Sequence, residues 1–469
     1  MNRAFMVAAT GSGCGKTTIT CALLKSLINK GLVPHSYKCG PDYIDPMFHR
    51  KVLGIEAENL DLFFSNQDEV RSIFYRDRIS DVKIVEGVMG LFDGVNVISN
   101  EASSYDLACK LDIPVILIVN AQGMGRSLLA IIKGFLDMDE KRMIRGVILN
   151  KISSRQYDTM KPLIEDELGI AVIGFCPKLE KCVLESRYLG LKMPGEIVEI
   201  EENLDYVASI VTDTVDIDKL LDISFVDKDR CEIVCDNIEQ NKLNKENNNL
   251  ENRIRIGIAR DEAFCFYYEE NMRMLKSLGV ELVEFSPLKD KELPEELDGL
   301  ILGGGYPELY AEELSNNKSM INSIKSAIES GVPSLAECGG FMYLHDNIIV
   351  DGTHYPMVGC IEGTCEKKDR LVRFGYMTIQ EIEGQFIDGE QVIKGHEFHY
   401  YDSTNNGSNA ISTKPYGNRS WKAAHISYNH WWGFAHLYYP SNVDFISSYI
   451  KKCRTYSGDG SSVTRSVPL

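Results

Sequence analysis

The sequence predicts an α/β protein in two parts, the first a doubly wound parallel sheet built around a phosphate-binding loop. Three observations carry this. Over the first 230 residues, short apolar runs alternate with helical stretches, the pattern of a parallel sheet covered by helices. A glycine-rich turn joins the first such run to the first helix. Residues 237–252 read NIEQNKLNKENNNLEN, too polar to bury a core, and strand-like runs resume beyond them.

Taken in order, residues 5–9, 83–86, 115–120 and 146–150 are near-continuously apolar, as strands buried on both faces must be. Residues 1–236 are thus expected to form one domain and 237–252 a linker. Strands at 254–259, 299–302 and 334–336 open a second domain spanning 253–452. The end, 453–469, is rich in serine and glycine and is expected to be a disordered tail. No internal repeat is visible.

Composition narrows the function. The 469 residues are 44% hydrophobic and 25% charged, ordinary for a globular protein of two or three domains. Acidic residues outnumber basic ones 68 to 50, a net charge of −18, which argues against a nucleic-acid binder. An anionic substrate would need local positive charge to enter. No apolar run reaches 18 residues, so no membrane span is expected. The N-terminus runs straight into the glycine turn and does not read as a signal peptide. The 13 cysteines show no CxxC pair and are read as reduced thiols of a cytoplasmic protein.

The glycine turn, AATGSGCGKTT at 8–18, has the strand–loop–helix context of a phosphate-binding loop, although Thr10 stands where the strict pattern has glycine. Its glycines let backbone N–H groups face phosphate oxygens at a helix N-terminus. Gly11, Gly13, Gly15, Lys16, Thr17 and Thr18 are the expected ATP contacts, Lys16 at the β- and γ-phosphates and the Thr17 hydroxyl on Mg²⁺. Next, KCGPDYIDP at 38–46 places Lys38 beside Asp42 and Asp45, a reasonable phosphate and metal site because Mg²⁺ takes few carboxylates and keeps its waters. Glu86 ends a strand, where open α/β sheets bind ligands, and is assigned to Mg²⁺ with Thr17 and Asp45. Asp93 lies in the following GVMGLFDG, where an Asp-Gly turn competes with a functional reading. Asn150, closing another strand, is expected near the nucleotide base on position alone.

In the second half, PSLAECGG at 333–340 runs from a short strand into a sharp turn, the arrangement of a nucleophile elbow. Cys338 is the expected nucleophile, and the Gly339 N–H would stabilise an oxyanion. A thiol needs a base. Among His396, His399, His425, His430 and His436, the last is favoured because it follows an apolar run and would sit at the end of a core strand. The LGGGYPE turn at 302–308 offers a second oxyanion donor at Gly304.

Together these motifs resemble the cobyrinate a,c-diamide synthase family over residues 1 to about 450. The resemblance rests on KCGPDYIDPMFH at 38–49, VEGVMGLFDG at 85–94, LAECGGFMYL at 335–344, GHEFHY at 395–400 and AHLYYPSN at 435–442, with a phosphate loop like those of dethiobiotin synthetase-like ATPases. It implies a C-terminal, flavodoxin-like class I glutaminase domain working through a Cys338 thioester and His436. It implies an N-terminal domain that uses ATP and Mg²⁺ to activate carboxylates of a tetrapyrrole as acyl phosphates, the c position before the a position. Asp42, Asp45, Glu86 and Asp93 match its functional acidic positions, and Tyr43 and Ile44 match positions linked to substrate choice. Ordinary class I glutaminases carry a glutamate where this chain has Tyr438, so a dyad replaces the usual triad.

The expected partners are therefore a tetrapyrrole polycarboxylate, ATP and glutamine, with no nucleic acid and no membrane; a homo-oligomer is left open. Sibling substrates, nickel-sirohydrochlorin and hydrogenobyrinate, share these motifs. Abundant Lys, Asn and Ile lean toward an anaerobe and the cobalt-early route. A reading from another class, a nucleotide switch with an inactive glutaminase domain, leaves the thiol elbow without a use.

Overall fold

A computed structural model describes residues 3–179, 194–226, 253–387, 391–417 and 419–458. The chain divides into two compact units, Met1–Glu246 and Asn247–Leu469. The expected linker at 237–252 lies outside the described residues.

In the first unit, seven strands form one fully parallel sheet: β1 (Arg3–Ala9), β2 (Pro34–Cys39), β3 (Ala57–Leu60), β4 (Val82–Glu86), β5 (Val115–Asn120), β6 (Ile144–Asn150) and β7 (Ala171–Cys176). Their order is β3-β2-β4-β1-β5-β6-β7, so the chain reverses direction across β1. Period-two alternation puts Phe5, Val7 and Ala9 into one core and Met6 and Ala8 into the other. Helices cover both faces, as a parallel sheet requires. The helices α1 (Lys16–Asn29) and α2 (Ile44–Leu53) follow β1 and β2 and bring the expected site residues to the carboxyl edge. α2 stops at Gly54, whose φ of 66° closes the last turn.

The second unit is built on a six-stranded sheet in the order Val280–Phe285, Ile254–Ala259, Gly299–Leu302, Ser334–Glu337, His430–Gly433, His425–Ile426. The first five are parallel and the last is antiparallel. A second, antiparallel sheet of five strands runs Ser420–Ala423, Ala410–Thr413, Arg373–Glu381, Val392–His399, His436–Leu437. The final helix, Val443–Gly458, corrects one expectation. Residues 453–458 are not tail, because Cys453 is fully buried and holds that helix against the core. Among the described residues no helix is long and apolar enough to cross a membrane.

Candidate active sites

The first site gathers at the carboxyl ends of β1, β2 and β4, on either side of the chain reversal, where open α/β sheets bind ligands. α1 has no side-chain N-cap. Its cap is Gly15 at φ 91°, so the first-turn N–H groups face the loop, the arrangement that attracts phosphate. Lys16 folds back over the loop, donating to the carbonyls of Gly11 (3.3 Å) and Met89. Met89 itself holds a left-handed φ of 49°, so the 87–94 loop carries backbone strain where it meets the lysine. Burial and then the neighbouring Lys38 charge lower the Lys16 pKa.

Lys38, only 5% exposed, donates to Asp45 and to Glu86 Oε1 (2.8 Å), with Asp42 Oδ2 3.9 Å away. Burial opposes its charge, but these carboxylates outweigh that and hold its pKa well above the ordinary value. Burial likewise pushes Asp42 up to about 6, helped by Asp45, and Glu86 up to about 7 against the pull of Lys38. Asp45 stays low because Lys38 overcomes its burial. Thr17 Oγ1 donates to Glu86 Oε1 at 2.6 Å, while Glu86 Oε2 is sealed from solvent without a hydrogen-bond partner. Among the described residues no three His, Cys, Asp or Glu side chains gather as a metal cluster. Two carboxylates and a hydroxyl beside a phosphate loop, one oxygen unsatisfied, nevertheless fit a hard cation that keeps most of its waters.

The structure thus brings Lys16, Thr17, Lys38, Asp42, Asp45 and Glu86 together. Asp42 also organises the start of α2, its Oδ1 accepting from the N–H groups of Ile44 (2.8 Å) and Asp45 (3.1 Å). Tyr43 is buried and Ile44 half-buried on that turn. Asp93 accepts from the Gly90 N–H at 2.8 Å and so shapes its own loop, the competing reading of that residue. Asn150, expected near a base, donates instead to the Cys14 carbonyl at 2.7 Å, and any side chain at Gly15 would collide with its amide. Asn150 braces the phosphate loop.

The second site centres on Cys338, at the junction between strand Ser334–Glu337 and the short helix Gly339–Tyr343. Its φ of 46° and ψ of −102° fall in a sparsely populated region, a strain of about 1–3 kcal/mol that surrounding contacts must hold. They do so through small neighbours. A Cβ at Gly340 would strike the Leu302 carbonyl, and one at Gly339 would lie 2.9 Å from Pro307 and 3.0 Å from the Gly305 nitrogen. The Cys338 N–H donates to Gly433 O at 2.9 Å, and the Gly339 N–H faces the thiol. Burial, then the charges of Glu308 and Glu397, raise the thiol pKa strongly, so it rests protonated.

His436 is not at the end of a core strand. It opens the two-residue strand His436–Leu437 on the edge of the five-stranded sheet, after the core strand His430–Gly433 has ended. Its ring stacks on His396 with centroids 5.0 Å apart and packs directly on Gly304. Burial, then His396 and His399, lower its pKa well below the ordinary value and keep it neutral. Two residues not anticipated from the sequence hold this strand, Glu337 from the elbow and Asn271 from the helix Glu269–Ser277. Glu337 accepts from the Leu437 N–H (3.2 Å) and the Tyr439 hydroxyl (2.9 Å), and Asn271 bridges the Leu437 carbonyl (2.8 Å) and the Tyr439 N–H (2.9 Å). His425 and His430 serve structure: His425 bonds the Asn405 carbonyl, and His430 bonds Ser334 and stacks on Trp432.

The chain is 38% identical over 460 residues to the cobyrinate a,c-diamide synthase of Priestia megaterium, covering 97% of each chain. The chain belongs to the cobyrinate a,c-diamide synthase family. It is accordingly an enzyme, a glutamine-dependent amidotransferase. Similar relatives carrying that name occur in Caldanaerobacter subterraneus (37% over 463 residues, 97% of this chain and 99% of the relative) and Clostridium acetobutylicum (37% over 457 residues, 96% and 100%). Residues 5–187 match the CobQ/CobB/MinD/ParA nucleotide binding domain and 255–431 the CobB/CobQ-like glutamine amidotransferase domain. Among solved structures, MinD cell division protein of Aquifex aeolicus covers 45% of this chain and 94% of its own at 14% identity and a TM-score of 0.30. PurLQS of Thermotoga maritima covers 44% and 99% at 14% identity and 0.31.

Proposed function

We propose that this member of the family amidates the a and c carboxylates of cobyrinate, using ATP and glutamine, on the anaerobic route of cobalamin synthesis in the cytoplasm. The observation that supports it most is the strained Cys338 elbow, held against the strand of a neutral, buried His436 by Glu337. In this reading His436 takes the thiol proton as sulfur attacks the glutamine carboxamide carbon, while the N–H groups of Gly339 and Gly304 receive the oxyanion. The C–N bond breaks, ammonia leaves with the proton from His436, and water releases glutamate from the thioester.

In the first unit a substrate carboxylate oxygen attacks the γ-phosphorus of ATP, and ADP departs. Ammonia then attacks the acyl carbon, expelling phosphate and leaving the amide. Lys16, Gly11, Gly13, Gly15 and Thr18 hold the phosphates, and Lys38 neutralises charge at the transferred group, since phosphoryl transfer rests mainly on positioning and charge compensation. Mg²⁺ held by Thr17, Asp45 and Glu86 would supply further charge neutralisation on the phosphate oxygens. Tyr43 and Ile44, on the turn that carries Asp42 and Asp45, are the residues we assign to choice of tetrapyrrole.

Mass spectrometry of the product tests this directly. Cobyrinate supplied with ATP and glutamine should gain two amides. Faster amidation of nickel-sirohydrochlorin or hydrogenobyrinate would move the protein to a sibling substrate, and ATP hydrolysis without glutamine turnover would make it a nucleotide switch.

A further inference from the structure

The KCGPDYIDPMFH segment ends in His49, a residue the chemistry above leaves unused. Its imidazole is fully buried in the first unit, yet both ring nitrogens have partners. Nδ1 lies 2.8 Å from the Ser36 hydroxyl oxygen and Nε2 lies 3.4 Å from the Cys21 sulfur. Ser36 and Cys21 are each 1% exposed. Phe48, with Ile200 and Leu204 of the helix Pro194–Thr214, packs with Cys21 in one small core, so the three polar groups form a sealed layer.

A buried histidine often does no more than satisfy its neighbours. The place of these three in the chain says more. Cys21 follows Thr17 by one turn of α1, and His49 follows Asp45 by one turn of α2, so each stands behind a site residue on the same helix face. Ser36 precedes Lys38 by two residues on β2 and shares its face of the sheet. The layer thus lies one step, about 5–7 Å, behind the phosphate and metal site on three separate elements. His49 joins all three. Its carbonyl also accepts from the Gly54 N–H and closes the far end of α2. Burial lowers the His49 imidazole to about 4 and raises the Cys21 thiol well above its ordinary value. The layer is therefore uncharged and does not compete with a cation for Asp45 or Glu86.

We infer that His49 is a positioning residue, whose bonds to Cys21 and Ser36 fix α1, α2 and β2 against one another and so set the separations among Thr17, Asp45 and Lys38 that a Mg²⁺–nucleotide complex requires. The inference rests on the reading of Thr17, Asp45 and Glu86 as the residues that hold the cation. Apolar contacts would also join these elements, but they resist sliding only weakly. A fully satisfied hydrogen-bonded cluster selects one register. Metal sites respond strongly to such supports, because losing a group that orients a ligand costs about 10- to 100-fold in affinity.

The test is calorimetric titration of the full-length protein with AMP-PNP, a non-hydrolysable ATP analogue, in Mg²⁺ and in EDTA. The ratio of the two Kd values isolates what the cation adds. In His49→Leu that ratio should shrink by ~10-fold or more, with a smaller change of Kd in EDTA. His49→Asn keeps an amide near the place of Nδ1 for Ser36, and His49→Gln keeps one near Nε2 for Cys21. Each should recover part of the loss, and the two serve if the leucine variant does not fold. Ser36→Ala should also lose part of the ratio, and should cost nothing more when added to His49→Leu. A wild-type ratio in His49→Leu, or in both amide variants if leucine is not tolerated, makes His49 a core residue and overturns the inference, whatever the urea midpoint does. If Mg²⁺ adds nothing in wild type, or Asp45→Asn keeps the full ratio, the reading of the cation ligands itself falls.

Discussion

Gly304 and His436 pack so closely that a methyl group on the glycine would occupy the space of the imidazole Cε1. The glycine turn therefore sets the position of the proposed base as well as carrying the proposed backbone donor. Gly304→Ala should push the ring aside and lower glutamine-driven amidation by about 100-fold, the usual cost of misplacing a catalytic group by an ångström. Amidation driven by added ammonium should survive, and comparing the two nitrogen sources checks this.

Backbone strain at Cys338 makes a stability prediction with an unusual sign. Glycine is ordinarily less stable than alanine by 0.5–1 kcal/mol within regular structure. At φ 46° and ψ −102° the order should invert, with Cys338→Gly exceeding Cys338→Ala by about 1 kcal/mol in urea unfolding, although both lose glutamine turnover.

Lys38 is the buried counter-charge to Asp45 and Glu86. Lys38→Met should destabilise the first unit by ~3 kcal/mol, because it strands two carboxylates rather than because the pair is strong. Adding Glu86→Gln should recover part of that loss. Urea midpoints of the single and double variants measure it, and ATP turnover should be absent in both.

Glu337 gives a pH dependence. Burial raises its carboxyl from 4.5 to about 8, although the Tyr439 hydroxyl and the Leu437 N–H pull it back. A carboxyl with its folded value above its unfolded one favours folding while protonated. Its contribution is complete below about 4.5 and is lost as pH rises to about 8. Wild-type thermal stability should therefore fall across that window relative to Glu337→Gln, whatever the absolute stability of the variant.

Much of this architecture was legible in the order of residues. Strands at Val115–Asn120, Ile254–Ala259 and Gly299–Leu302 have the expected bounds, because each is a continuous apolar run between turn signals. β2 was not anticipated, since PHSYKC reads as polar. Its His35, Ser36 and Lys38 are buried nonetheless, satisfied by Asp77, His49 and the carboxylates around Lys38, partners 7 to 48 residues away that no local pattern reveals. The antiparallel sheet that carries His436 is hidden for a related reason, its strands being half polar. The turns at Lys16, Asp45, Glu86 and Cys338 stand out in the sequence because glycine and charge beside a strand end have few structural uses. Glu337 and Asn271 do not, since their partners are distant in the chain.

The protonated, enclosed state of Cys338 bears on how such an enzyme endures in a cell. Peroxide and stray electrophiles react with thiolates, and this sulfur is not one while idle. Exposed as an anion, it would be spent by oxidation between turnovers. Kept as a neutral thiol behind packed glycines, it is held in reserve, and in the proposed reaction its reactivity would appear only when an amide is there to receive it.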